Sequence, residues 1–294
     1  MTVRTDLHIH SCLSPCADED MTPADLAGMS FINGQRLIAL TDHNSARNCP
    51  AAAAAAAAYG LGFIPGMEVT TSEDIHAVCL FPDLCCALDF DGYIYRHIPD
   101  IPNRPEVFGN QVILDADGCV LGTEPRLLIT GCDISILDLP GIVAGYGGVC
   151  YPAHIDREGN GLLGILGAWP PELDVRAAEV NLSFVKQQFS GGAGQNTGCG
   201  GAETGVGAGV GAEAGARAGV GAGTGAGAVA GTGAEAGVEN NDRFGRFRGL
   251  IPEGARLIAA SDAHRLSDLP PAGFPIELES ADFSGLARWI NSAR

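Results

Sequence analysis

A chain of 294 residues with 35 acidic and 17 basic side chains carries a formal charge of −18. That balance argues against a coat for nucleic acid or an anionic membrane, because both kinds of binding rest on Lys and Arg releasing counterions. The length is ample for a buried core, 46% hydrophobic residues exclude wholesale disorder, and ten Cys are too sparse for a disulfide scaffold. Met1–His10 reaches charged residues at once and lacks an apolar signal-peptide core. The longest apolar run, 51–67, is broken by Gly60, Gly62, Pro65 and Gly66. A cytoplasmic chain with no membrane span and reduced thiols is expected.

In chain order, Val3–His8 predicts a strand. Thr22 is an N-cap with Pro23 at the first helical position, which starts a helix running to about Asn33. Leu37–Thr41 is a buried strand. Cys49–Tyr59 contains eight consecutive Ala and predicts a helix ending at Gly60. Phe63–Glu68 and Ile75–Phe81 read as strands, and Leu84–His97 as a helix. Gln111–Leu114 and Cys119–Gly122 flank Asp117-Gly118, a hairpin signal. Val149–Ala153, Ala177–Asn181 and Leu257–Ala260 are further strands. Alternating strands and helices predict an α/β fold with a largely parallel sheet or barrel.

Residues 191–238 stand apart, with 19 Gly and 13 Ala. Such a segment costs much entropy to order and offers little surface to bury, so it predicts a flexible insertion. The domain reading is therefore a first part over 1–190, an insertion over 191–238 and a closing part over 239–294. Without the insertion about 245 residues remain, the size of one α/β barrel.

The seven His decide the chemistry. His8 and His10 form an H-x-H pair at the end of the first strand, where alternate residues share a face. His43 follows a strand in Thr41-Asp42-His43, His154 in Pro152-Ala153-His154 and His264 in Ser261-Asp262-Ala263-His264. His76 starts a strand and Glu68 ends one. In a barrel the strand ends form one rim, so these residues converge there as a metal site would require. His97 has no such context and suits the C-terminal end of its helix.

These motifs, with Asp6-Leu7-His8-Ile9-His10-Ser11 and Gly66-Met67-Glu68, resemble the polymerase and histidinol phosphatase (PHP) domain family. The resemblance covers nearly the whole chain outside the insertion. It implies a distorted seven-stranded (β/α) TIM-like barrel that binds two or three divalent ions, for which imidazole and carboxylate ligands suit Zn, Mn or Fe. It also implies that His8, His10, Glu68 and Asp262 hold one metal, with Glu68 bridging to a second held by His76 and His154. Asp18, His43 and His264 would fill a third position. Asp18 is chosen from a run of three acids by its distance before Pro23; Glu19 and Asp20 remain open. His264 or Asp262 would assist proton transfer. Arg157, three residues after His154, would pair with phosphate, with Arg265 and Arg47 as weaker candidates.

The expected function is a metal-dependent phosphoesterase acting on a small phosphorylated metabolite or a nucleotide. Long nucleic acid is disfavoured by the charge and by 6% aromatic residues. A nucleotide-end 5′-3′ exonuclease is a substrate variant. A non-catalytic metal-binding regulatory domain and an amidohydrolase-type hydrolase are the alternatives. Cys12, Cys16 and Cys49 lie near the metal motifs and read as buried thiols, with a further metal or a redox-sensitive pair as the sharper reading. The oligomeric state is not encoded in any recognisable pattern.

Overall fold

The computed structural model describes residues 1–180 and 247–293. The expected insertion, residues 191–238, lies outside them. Ten strands and seven helices are named here in chain order. The first half contains β1 (Thr2–Asp6), α1 (Pro23–Ile32), β2 (Leu37–Leu40), α2 (Cys49–Ala58), β3 (Gly62–Thr70), β4 (His76–Leu80) and α3 (Leu84–His97). Then come α4 (Pro105–Phe108), β5 (Val112–Leu114), β6 (Val120–Thr123), α5 (Leu139–Gly145), β7 (Val149–Pro152), α6 (Leu162–Leu166) and β8 (Ala177–Val180). β9 (Arg256–Ala259), β10 (Phe274–Glu277) and α7 (Phe283–Asn291) complete the described chain.

Local rules account for most element boundaries. Thr22 caps α1 by accepting from the Asp25 amide at 3.1 Å, and Pro23 opens it. The alanine run builds α2, which ends before Gly60 at φ +67°. Asp83 and Asp282 cap α3 and α7 through the Cys86 and Gly285 amides.

A six-stranded sheet runs in the order β10-β1-β2-β3-β4-β7. The mixed α/β fold curls this sheet into a half-barrel. β1, β2 and β3 are parallel, as their intervening helices require. β4, β7 and β10 are antiparallel to their neighbours, which departs from the largely parallel sheet expected. The reason is local: only five residues join β3 to β4, too few for a crossover helix, so the chain turns back as a hairpin. β8 and β9 form a separate parallel pair. The Ile155 amide donates to Glu179 O at 2.9 Å beside β7, and Ile9 bridges Ala263 just beyond β1. These contacts bring β8 and β9 to the open side of the curl.

Both faces of the central strands are buried. In β2, Ile38 and Leu40 face the outer core with Leu26, Ala27, Ala52 and Ala56, while Leu37 and Ala39 face the inner core with Leu7, Ile64 and Tyr151. Continuous apolar runs such as Leu37-Ile38-Ala39-Leu40 follow from this double burial. Between α3 and α5, residues 99–133 form a lobe containing α4 and the β5–β6 hairpin. The lobe lies against the loop after β1, where the Val112 amide donates to Cys12 O at 2.9 Å.

Candidate metal centre

The strand exits aim their side chains at one point. His8 and His10 leave β1, His43 leaves β2, His154 leaves β7, and Asp262 and His264 follow β9. Glu68 lies inside β3, which continues to Thr70 rather than ending at the acid. The exits are backbone-strained: Asn44, His154 and Asp262 have φ of 48°, 27° and 52°. Such values cost a non-glycine residue about 1–3 kcal/mol and persist where surrounding contacts hold them.

Glu68 is the hub. Its Oε1 lies 2.9 Å from His76 Nδ1, 3.1 Å from His154 Nε2 and 3.3 Å from His8 Nε2. Its Oε2 lies 3.0 Å from His43 Nδ1 and 3.4 Å from His10 Nε2. Asp262 Oδ1 lies 3.2 Å from His10 Nε2 and 3.4 Å from His8 Nε2, and those two nitrogens are 3.2 Å apart. His10, His43 and His264 form a further close group, with the His10 and His264 rings stacked at 4.2 Å.

The carboxyl groups of His8's neighbours set its protonation. Burial opposes the charged ring, but Glu179 and then Glu68 push His8 well above the ordinary histidine range. Burial, reinforced by His264, pushes His10 well below it. Burial also opposes charge on His43, which Glu68 nevertheless raises to about 10. Glu68 is held well below the carboxylate range by His76, His8 and His43 despite its burial. His154 Nδ1 is buried without a hydrogen-bond partner, and Glu68 Oε2, His43 Nδ1 and His76 Nδ1 are buried with close ring–carboxylate contacts that lack hydrogen-bond geometry. Orphaned buried lone pairs of this kind are costly unless something positive binds them.

The spacing fits a divalent ion. Zn–N and Zn–O bonds of roughly 2.0–2.2 Å in a tetrahedron place ligand atoms roughly 3.3 Å apart. The contacts among His8, His10, Asp262 and Glu68 run from 3.2 to 3.4 Å. His8, His10, Glu68 and Asp262 therefore could hold one ion, and Glu68 with His76, His154 and His43 a second.

Around these donors a further layer holds them in place. Glu179 accepts from His8 Nδ1 with oxygens at 2.9 and 3.0 Å. Ser14 Oγ lies 3.0 Å from His10 Nδ1. Asp42 accepts from the Ser11 amide and from the Ser11 and Ser14 hydroxyls at 2.6–2.7 Å, so it fixes the loop and does not face the donors. Sequence reasoning passed over Glu179. The available signal was an acid in the otherwise apolar Ala177-Ala178-Glu179-Val180, since a buried carboxylate needs a partner.

The remaining predicted residues fall at or beyond the rim. A cavity of about 280 Å³ is lined by Cys16, Glu68, Arg157, Asn160, Asp262 and His264 among others. Arg157 donates to Asp262 Oδ2 at 2.7 Å while keeping 43% of its side chain exposed. The Asp18 carboxylate does not join the donors; it is half exposed and lies 3.5 Å from Arg265. Arg47 spends its guanidinium on Glu124 and Asp91 beneath the Tyr95 ring. His97 lies apart, paired with Asp133 at 2.6 Å. All nine Cys among the described residues are free. Cys12 and Cys49 are buried and donate to carbonyls, and burial raises both thiols. Cys16 is exposed and lines the cavity with His264 and His43; desolvation opposes ionisation of its thiol, but the two rings bring it down to about 6.

Comparisons add to this geometry. No family model matches the chain. Over 73 residues it is 40% identical to a 3′,5′-nucleoside bisphosphate phosphatase of Chromobacterium violaceum, a match spanning 25% of each chain. The lesion-specific endonuclease PfuEndoQ of Pyrococcus furiosus superposes with a TM-score of 0.55 and 14% identity, over all of this chain and 57% of that one. That likeness speaks for a shared fold. An amidohydrolase of C. violaceum with bound sulfate and no metal gives a TM-score of 0.34 at 23% identity, over 52% of this chain and 67% of that one, too low a score to speak for either fold or chemistry. The chain thus spans about a quarter of its curated relative and a little over half of the endonuclease.

Proposed function

We propose that the chain is a metal-dependent phosphoesterase that hydrolyses the ester of a small phosphorylated metabolite or a nucleotide. The observation that carries this reading is the four-residue set His8, His10, Glu68 and Asp262, in which the two rings lie 3.2 Å from each other and 3.2–3.4 Å from both carboxylates. Two or three ions of Zn, Mn or Fe suit its mixed imidazole and carboxylate donors. The similarity to a nucleoside bisphosphate phosphatase supports a phosphate ester as the bond broken. The same reading takes the curled sheet and the β8–β9 pair as parts of a distorted seven-stranded barrel.

When bound, the ions polarise the phosphoryl oxygens and bring a bound water's pKa into the neutral range. The chain's own residues position and neutralise. Glu68 shares its two oxygens between neighbouring donor groups. Arg157, held by Asp262 with part of its guanidinium exposed, pairs with a phosphate oxygen at the cavity mouth. His264, its Nδ1 held by the Asp262 carbonyl at 2.8 Å, lines the cavity and would assist proton transfer to the leaving oxygen. A cavity of about 280 Å³ suits a phosphoryl group with a small organic part. The charge of −18 works against a long nucleic acid, whose phosphates need many Lys and Arg.

The test is a panel of phosphomonoesters, nucleoside bisphosphates, a single-stranded oligonucleotide and N-acyl amides. Full-length protein is stripped with chelator and reloaded with Mn, Zn or Fe. Metal-dependent phosphate release from a small ester, reduced about 10³-fold or more in His8→Ala, is expected. Amide turnover in its place, or no turnover with any metal, overturns the reading.

A further inference from the structure

Two cysteines outside the donor groups face each other across the sheet. Cys79 on β4 and Cys150 on β7 are register partners in the antiparallel ladder, with their Sγ atoms 3.7 Å apart. The hydrogen bonds fix the type of pairing. The Ala153 amide donates to His76 O at 2.9 Å, which brackets Ala77 and Pro152 as partners that share no hydrogen bond. Pairing type alternates along an antiparallel ladder, so Cys79 and Cys150, two steps on, are again such partners. Pairs of this type bring Cα atoms to about 4.5 Å, inside the roughly 4.4–6.8 Å that a disulfide spans. Beyond the pair the strands stay close: a side chain on Gly148 would meet Leu80 O at 2.7 Å and Val143 Cγ1 at 2.8 Å. Both sulfurs face the outer core. Cys79 is buried there, and Cys150 packs against it half-buried, which gives an oxidant its way in.

We infer that Cys79 and Cys150 are an oxidation site, forming a reversible cross-strand disulfide that fastens β4 to β7. Side-chain rotation closes the sulfurs from 3.7 Å to about 2.05 Å. With hydrogen peroxide as oxidant, the Cys150 thiolate attacks one peroxide oxygen. The O–O bond breaks, hydroxide leaves and Cys150 becomes a sulfenic acid. The Cys79 sulfur then attacks the Cys150 sulfur, and its proton leaves with the hydroxyl as water. Two electrons pass from the two thiols to one peroxide. Burial, then the neighbouring Cys150 sulfur, holds the Cys79 thiol well above the ordinary cysteine range, so Cys79 suits the second step and not the first. β4 begins at His76 and β7 leads through Ala153 to His154, so the bond ties together the strands that bring both rings to Glu68. Neither sulfur belongs to the donor groups, and the bond forms whether or not those groups hold metal.

Peptide mapping tests the bond without any variant. Full-length protein, reduced and desalted, is treated with hydrogen peroxide, alkylated with N-ethylmaleimide in denaturant and digested. The peptides carrying Cys79 and Cys150 should be found joined in about half of the chains or more, and dithiothreitol should release them. In Cys79→Ala, Cys150 has lost its partner and should instead pass to sulfinic and sulfonic acids that dithiothreitol does not reverse. Wild-type Cys79 that stays fully alkylatable overturns the inference, whether Cys150 is then unreacted, over-oxidised or joined to a different cysteine.

Discussion

The inner and rim donor groups differ in how firmly the fold holds them. His8, His10 and Glu68 are fully buried on strands or their first exit residues, with Glu179 and Ser14 bonded to the far sides of the rings. His264, Arg157 and Cys16 stand on loops, and their side chains remain partly open to the cavity mouth. Strand-held donors with a bonded outer layer are pre-organised, whereas loop residues can adjust to what enters. On the proposed reading the contrast separates two tasks: the inner group would retain metal, and the rim would meet the substrate.

The strongest way to break that division is to remove its hub. Glu68→Gln should lower kcat/KM about 10³-fold or more and reduce bound metal measured by elemental analysis, because both inner positions share its oxygens. A variant that kept full metal content would deny the hub role. Next, Glu179→Gln should weaken metal affinity about 10–100-fold in a competitive chelator titration, since it orients and polarises His8. Unchanged affinity would make Glu179 a mere packing partner of the ring.

Protons compete with metal at the inner group. Glu68 raises His43 to about 10 and, with Glu179, raises His8, so metal must displace protons from both near neutral pH. Affinity should rise with pH, about tenfold per unit for each proton displaced, and calorimetry in buffers of different ionisation enthalpy should show net proton release. For metal-free protein the sign is opposite. The stability contributed by His43 is fully present below the ordinary value of 6.5 and is lost as pH rises through about 10.

Rim changes should be milder and of a different kind. Arg157→Ala should raise KM about tenfold for a phosphorylated substrate, with a much smaller change in kcat, because the side chain binds phosphate. An equal loss in kcat with KM unchanged would point to Asp262, which it contacts, as the group disturbed. Asp18→Asn should change kcat/KM less than about twofold, since its carboxylate already lies outside with Arg265. A large loss there would return Asp18 to the donor set.

Much of the fold was legible because its signals are local. Thr22-Pro23 announced α1, the alanine run with Gly60 announced α2, and Asp117-Gly118 announced the β5–β6 hairpin. The antiparallel turn from β3 to β4 was missed because an apolar run carries no direction; the five-residue connection was the clue. The histidines were legible because five of the seven follow strands and a sixth, His76, starts one. Glu179 was harder to see. It sits in no spaced motif and acquires its meaning from the His8 ring brought to it across the fold.

Residue type and order by themselves determined the donor inventory: imidazoles and carboxylates at strand ends, enough for a cluster of mixed ligands. Tertiary structure decided which donors come together, why Glu68 is the hub, and that the Asp18 carboxylate turns outward to Arg265. The reason is physical. Spacing in sequence sets which way a side chain leaves its own strand, whereas ligand geometry depends on distances between strands, set by sheet curl and loop anchoring.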